Sequence, residues 1–297
     1  VRHRFHPQRR TTVMRLLADI GGTNARFALA QPGGMPIEER HFPVRDFAVP
    51  SDAIDVYLSG RKIADAVIAV ATPINGDEVR FTNSHWAFSV EDLRRRHGFE
   101  RLAVINDFVA QALAMPHLAP QEVEHMGGGA GVPTRPIAVL GPGTGLGVSA
   151  LIPSRGGWTA LSTQGGHVSF APADAREQAV LDCLRQRFGQ VSNEQLLSGR
   201  GLLNLAEALA AVDKRACAAK SPEEVSEAAR DSRCLSCREA VRMFSGVLGT
   251  AAGDLALVYG AHGGVFVAGG VCLQRTAADK PEGVEQLGHV HGQVESL

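Results

Sequence analysis

LADIGGTNARFALA, residues 17–30, decides the fold. The apolar run Met14–Ile20 reads as a strand, Gly21-Gly22-Thr23 as a tight turn, and Ala25–Ala30 as a second strand. The second half of the chain opens the same way. Pro136–Leu140 reads as a strand, Gly141-Pro142-Gly143-Thr144-Gly145 as a glycine turn, and Gly147–Ile152 as the return strand. A shift of 121 residues lays Gly22-Thr23 on Gly143-Thr144. The echo recurs in matching strand–turn–strand context and predicts two similar α/β halves.

Composition narrows the function. The chain has 297 residues, 44% apolar and 21% charged, which suits two globular domains with real cores. Thirty Lys+Arg against 31 Asp+Glu leave a net charge of -1, too little positive charge to expect a nucleic-acid partner. No stretch approaches the ~20 uninterrupted apolar residues of a membrane span. The lysines are Lys62, Lys214, Lys220 and Lys280, and none lies in a P-loop or a protein-kinase strand motif. GPGTGLG has no GxGxxG register and runs into a strand rather than a helix, so a dehydrogenase is disfavoured. Five cysteines do not make a secreted disulfide framework, and Val1–Thr12 lacks the apolar core of a signal peptide. The expected compartment is the cytoplasm. Cys234-Leu-Ser-Cys237 stands as a lone CxxC and is expected to supply packing thiols rather than zinc or redox chemistry.

Between the turns, Ser51–Leu58 reads as a helix and Ala64–Ala71 as a buried strand. Asn75-Gly76 signals a hairpin leading into Glu78–Thr82, and Ser89–Asp92 resembles a capping box whose helix Gly98 closes. Arg101–Ile105 is a strand that delivers Asn106-Asp107 at its C-terminal end, followed by a helix, Phe108–Met115. Pro116 and Pro120 mark a domain crossing. Helices are expected over Ala173–Phe188, Asn193–Leu197, Leu202–Val212, Pro222–Ala229 and Cys234–Val258, then a strand, Gly263–Val271.

Glycine turns with outward N–H groups are anion nests, and Thr23 and Thr144 add a hydroxyl beside each. Two of them could hold the two ends of a polyphosphate; each could equally be a simple strand reversal. Asp19 could hold a metal-bound water or cap its turn. Asp107, at the end of a buried parallel strand, faces the crevice where α/β sheets bind ligands, although it could also be the N-cap of its helix. Asn106 beside it offers a donor and an acceptor for hydroxyl recognition. His167 and Glu194 are further polar candidates.

Together LADIGGTNARFALA (17–30), AVATPINGDEVRFTNSHWAFS (69–89), LAVINDFVAQALAM (102–115), IAVLGPGTGLGVSAL (137–151), GGHVSFAP (165–172), VSNEQLLSGRGLLNL (191–205), DSRCLSCREA (231–240) and GGVFVAGGV (263–271) resemble the bacterial glucokinases of the hexokinase–actin superfamily. The resemblance implies an α/β, two-domain, hexokinase/actin-like (ribonuclease H-like) fold with an interdomain cleft. It also implies phosphorylation of D-glucose by ATP with Mg²⁺, with a homodimer left open. Asp107 then corresponds to the general base. Asn83, Asn106, Gln164, His167 and Glu194 correspond to sugar ligands. Asp19, Gly21, Gly22, Thr23, Asn24, Gly141, Gly143, Thr144 and Gly145 correspond to the phosphate loops, with Gly269 and Gly270 near the adenosine. The rival is a non-catalytic sugar- or nucleotide-binding relative.

Two departures stand out. Gln164 occupies a position usually held by Glu, which predicts weaker sugar binding. Residues 274–297 lack periodicity and read as foreign sequence, predicting lowered stability and activity. Residues 1–13 read as an upstream extension with Met14 as the start, ahead of a small domain (14–115) and a large one (116–273).

Overall fold

The computed structural model describes residues 14–270 apart from Gly128 and Ser232. The expectations for residues 1–13, Val271, Cys272 and the tail from 274 lie outside the described residues. Two compact units part between Ala110 and Gln111.

The first unit holds β1 (Arg15–Ile20), β2 (Asn24–Ala30), β3 (Ile37–Pro43), α1 (Pro50–Leu58), β4 (Asp65–Val70), β5 (Glu78–Arg80), β6 (Ala87–Ser89), α2 (Val90–His97), β7 (Arg101–Asn106) and the start of α3 (Asp107–Ala114). Its main sheet runs β3-β2-β1-β4-β7, with β1, β2 and β3 antiparallel and β4 and β7 parallel to β1. Along β1, Leu16, Ala18 and Ile20 alternate inward. They join Phe27, Ile54, Tyr57, Ile68, Trp86 and Phe99 in one core cluster. Ser89 caps α2 by accepting the Asp92 N–H at 3.1 Å, and Gly98 ends it in the left-handed region, as the capping box and glycine predict.

The second unit holds β8 (Ile137–Pro142), β9 (Leu146–Ser154), β10 (Gly157–Ser162), α4 (Ala175–Phe188), α5 (Gly199–Val212), α6 (Pro222–Arg230), α7 (Leu235–Tyr259) and β11 (Gly264–Val267). Its sheet runs β10-β9-β8-β11, with β8–β10 antiparallel and β11 parallel to β8. Each sheet therefore repeats one plan: an antiparallel meander of three, then parallel addition beside the first strand. Every residue of β8 is buried, as befits a strand covered on both faces. Leucines of α5, with Phe244 and Leu248 of α7, fill the helical core. Among the described residues one helix, α7, is long and apolar enough to cross a membrane, and half of its most apolar stretch is buried inside the protein.

Several elements differ from expectation. Asn75-Gly76 is not the turn of a hairpin with β4: β5 pairs with β6, and the connecting loop is 81–86. Asp77 draws the chain toward α2, because its backbone carbonyl accepts the Val90 N–H and its carboxylate accepts the Glu91 N–H. Asn193–Gln195 is a single 3-10 turn rather than a helix through Leu197. The last strand ends at Val267, where Gly269 adopts φ +98 and turns the chain.

Candidate active site

At the C-terminal edge of the first sheet, Ile20 pairs with Val70 and Val70 with Asn106, so β1, β4 and β7 end in one row. The Gly21–Thr23 turn leaves this edge, closed by the Gly21 N–H donating to the Asn24 carbonyl at 2.9 Å. Thr23 and Asn24 are exposed. Gly22 has to be glycine: a Cβ there would stand 2.9 Å from the Asn83 carbonyl oxygen and 3.1 Å from the Asn83 Cβ. That close approach brings exposed Asn83 against the turn, joining two segments 61 positions apart (83 − 22).

Asp107 opens α3 in the same row. Its Oδ1 accepts the Phe108 N–H at 2.9 Å and the Asn106 Nδ2 at 2.8 Å. Asn106 in turn accepts the Phe108 N–H through Oδ1 at 3.0 Å and reaches the Thr72 carbonyl at 3.4 Å. The two residues thus share the cap of α3. Burial holds the Asp107 carboxyl above the usual aspartate range and the nearby Asp19 charge adds to this, while hydrogen bonds from Phe108 and Asn106 oppose it. A half-buried carboxylate with raised proton affinity is a better base than a solvated one. Asp19 also pairs with Arg26 at 3.2 Å, both half-exposed, a contact worth about 0–1 kcal/mol.

The second hairpin turns at Gly143-Thr144-Gly145, with the Gly143 N–H donating to the Gly145 carbonyl at 2.8 Å and Thr144 exposed. Gly141 pairs with Gly147 just below the turn. The Gly143 carbonyl accepts the Gly199 N–H at 2.9 Å, so the positive end of the 14-residue α5 meets the turn. The sequence reading missed this, although Ser198 ahead of an apolar run is an N-cap signal, and its Oγ accepts the Gly201 N–H at 2.9 Å. Gly269 comes to the same place. Its φ of +98 suits glycine, and a Cβ would collide with the Pro142 carbonyl. Gly270 follows, exposed.

Glu194 is seated on this hairpin. Its Oε2 accepts the Leu146 N–H at 2.9 Å, and its Oε1 lies 3.7 Å from Nδ1 of His167. His167 is carried by the Gly165–His167 turn, which packs on Val148 and Leu146 of β9. Gln164 precedes it, exposed. Within the second unit, one carboxylate therefore joins a candidate sugar ligand to a candidate phosphate loop.

Two meander-plus-parallel sheets, each bearing a glycine hairpin, are the hexokinase–actin-like fold of sugar kinases. A glucokinase from an Antarctic psychrotroph shares it with a TM-score of 0.83 and 35% identity, over 95% of this chain and 89% of that one. A glucokinase from Balamuthia mandrillaris in complex with glucose aligns with a TM-score of 0.72 at 20% identity, covering 95% of this chain and 86% of that one. The sequence model of the glucokinase family matches residues 16–279, and the chain belongs to that family. The Chromobacterium violaceum glucokinase is 48% identical over 260 residues, which span 86% of this chain and 75% of that relative.

Proposed function

We propose that this chain transfers the γ-phosphoryl group of ATP to the 6-hydroxyl of D-glucose. The observation that carries the reading is Asp107, a half-buried carboxylate with raised proton affinity at the strand-end row beside a glycine turn. In the proposed step the sugar oxygen attacks the γ-phosphorus, the bond to the ADP oxygen breaks, and the hydroxyl proton passes to the Asp107 carboxylate. Phosphoryl transfer asks the protein mainly for positioning and charge neutralisation. Asn106 orients the base, and Asn83, Gln164, His167 and Glu194 take the roles of sugar ligands. The turns at Gly21–Asn24 and Gly141–Gly145 offer backbone N–H groups and the Thr23 and Thr144 hydroxyls to phosphate oxygens, with Gly269 and Gly270 beside the nucleotide.

The residues fit Mg²⁺ held through water. Asp19 is half-exposed, and its charge already disfavours ionisation of Asp107, a repulsion a cation would relieve. Bound there, Mg²⁺ supplies neutralising charge for the phosphates. We propose the cytoplasm as its compartment, a reading that free thiols at the four described cysteines support.

The test is ADP release from ATP with D-glucose against 6-deoxyglucose. Release with glucose and none with the deoxy sugar, which still competes for binding, is expected. Binding of glucose without ADP release would favour the non-catalytic reading.

A further inference from the structure

The sequence presents Cys234 and Cys237 as an isolated pair, but the fold brings a third thiol to them. Cys217 lies in the segment between α5 and α6, and its Sγ stands 3.9 Å from the Sγ of Cys237. The three sulfurs all lie within 4.8 Å of one another. With metal–sulfur bonds of about 2.3 Å, tetrahedral coordination needs sulfurs roughly 3.8 Å apart, so the Cys217–Cys237 spacing is already that of two ligands on one ion. Closing the third sulfur onto the same centre asks for a shift of about an ångström or less.

The surroundings suit thiolates. Cys234 is the N-cap of the 25-residue α7, and its sulfur accepts the Cys237 N–H at 3.2 Å. A helix N-terminus favours negative sulfur. Cys237 is fully buried while Cys217 and Cys234 are half-buried, so the cluster has a closed floor and an open side. Burial and the two neighbouring sulfurs push the Cys237 thiol up, so as a lone group it resists ionisation; a bound cation supplies the charge that would reverse this.

We infer that Cys217, Cys234 and Cys237 form a three-sulfur site for a thiophilic d10 cation, pinning the α5–α6 segment to the start of α7. The candidates sharing this chemistry are Zn²⁺ with solvent at a fourth position and Cu⁺ in three-coordinate geometry. Binding exchanges protons for metal: three thiols become three metal-bound thiolates and up to three protons leave to solvent.

The test uses the full chain, reduced and freed of metal. Co²⁺ is expected to give one equivalent of sulfur-to-metal charge-transfer absorption, with proton release and a raised Tm. Cys217→Ser and Cys234→Ser, both at half-buried positions, should abolish the band and the Tm rise, whereas Cys183→Ser should keep both. Separate Zn²⁺ and Cu⁺ titrations against chromophoric chelators identify the cation, and retention of either supports the site. A band surviving Cys217→Ser, or loss of both Zn²⁺ and Cu⁺ to the chelators by protein whose thiols are demonstrably free, would overturn it; no Co²⁺ band with Cu⁺ retained assigns the site to Cu⁺. Because the readouts are spectroscopic and thermal, failure here leaves the kinase assay untouched.

Discussion

Asp107→Asn should separate activity from stability. The substituted amide keeps an oxygen where Oδ1 now accepts the Phe108 N–H at 2.9 Å and the Asn106 Nδ2 at 2.8 Å, so the start of α3 keeps its frame. What disappears is the proton acceptor. Positioned general bases contribute about 10²–10⁴-fold, which corresponds to roughly 2.7–5.4 kcal/mol of barrier. Stability should move the other way. A carboxyl whose folded pKa is raised binds protons more tightly in the native state, so wild type loses stability as pH rises from the unfolded value through the folded one. At neutral pH the neutral amide escapes that cost, and Tm should hold or rise. The assay pairs kcat from enzyme-coupled detection of glucose 6-phosphate with a thermal melt at pH 7. Activity within tenfold of wild type would remove the base. A fall in Tm with little loss of kcat would make Asp107 a helix cap instead.

The wild-type acid limb of kcat/KM should lie above the ordinary aspartate range. In Asp19→Asn it should move to lower pH, since the Asp19 charge helps to raise the Asp107 pKa; a limb that stays put contradicts this. Gln164→Glu should tighten glucose binding by up to about fivefold, because charge-assisted bonds are about twice as strong as neutral ones worth about 1 kcal/mol. An unchanged Kd in calorimetry would count against any sugar contact there. Arg176 bonds Asp213 at 2.8 Å and Glu239 at 2.7 Å, tying the start of α4 to α7, and Arg176→Met should lower Tm at pH 7. Its hydrogen bond and charge depress the Asp213 pKa, so this stabilisation is present above the unfolded value and lost as pH falls through the folded one. The difference between mutant and wild-type Tm should shrink in acid, and a constant difference would refute the ionic account.

The elements legible in the sequence are those whose signal is local. Glycine turns between apolar runs mark both hairpins, and Ser89 with Asp92 marks a helix start. β3, β6 and β10 carry no such signal. β3 exposes five of its seven residues, so its side chains follow no inward alternation. β10, at a sheet edge, has no fully buried residue, and β6 has only three residues. Asp107 was legible because a strand end and an adjacent helix start lie next to each other in sequence. The seat of Glu194 on Leu146 spans 48 positions, and the approach of Cys217 to Cys237 spans 20 through three intervening helix boundaries. No local pattern encodes either contact; packing alone creates them.

Neither glycine hairpin, 17–30 or 137–151, contains a primary amine side chain. Lys62 falls just ahead of β4, whose first residue Asp65 pairs with Arg15, at the end of the sheet opposite the Gly21–Thr23 turn. Lys214 and Lys220 flank the segment carrying Cys217. Amine-directed coupling to a resin, a sensor chip or a fluorescent dye would therefore tether the protein by chemistry that the two turns cannot undergo.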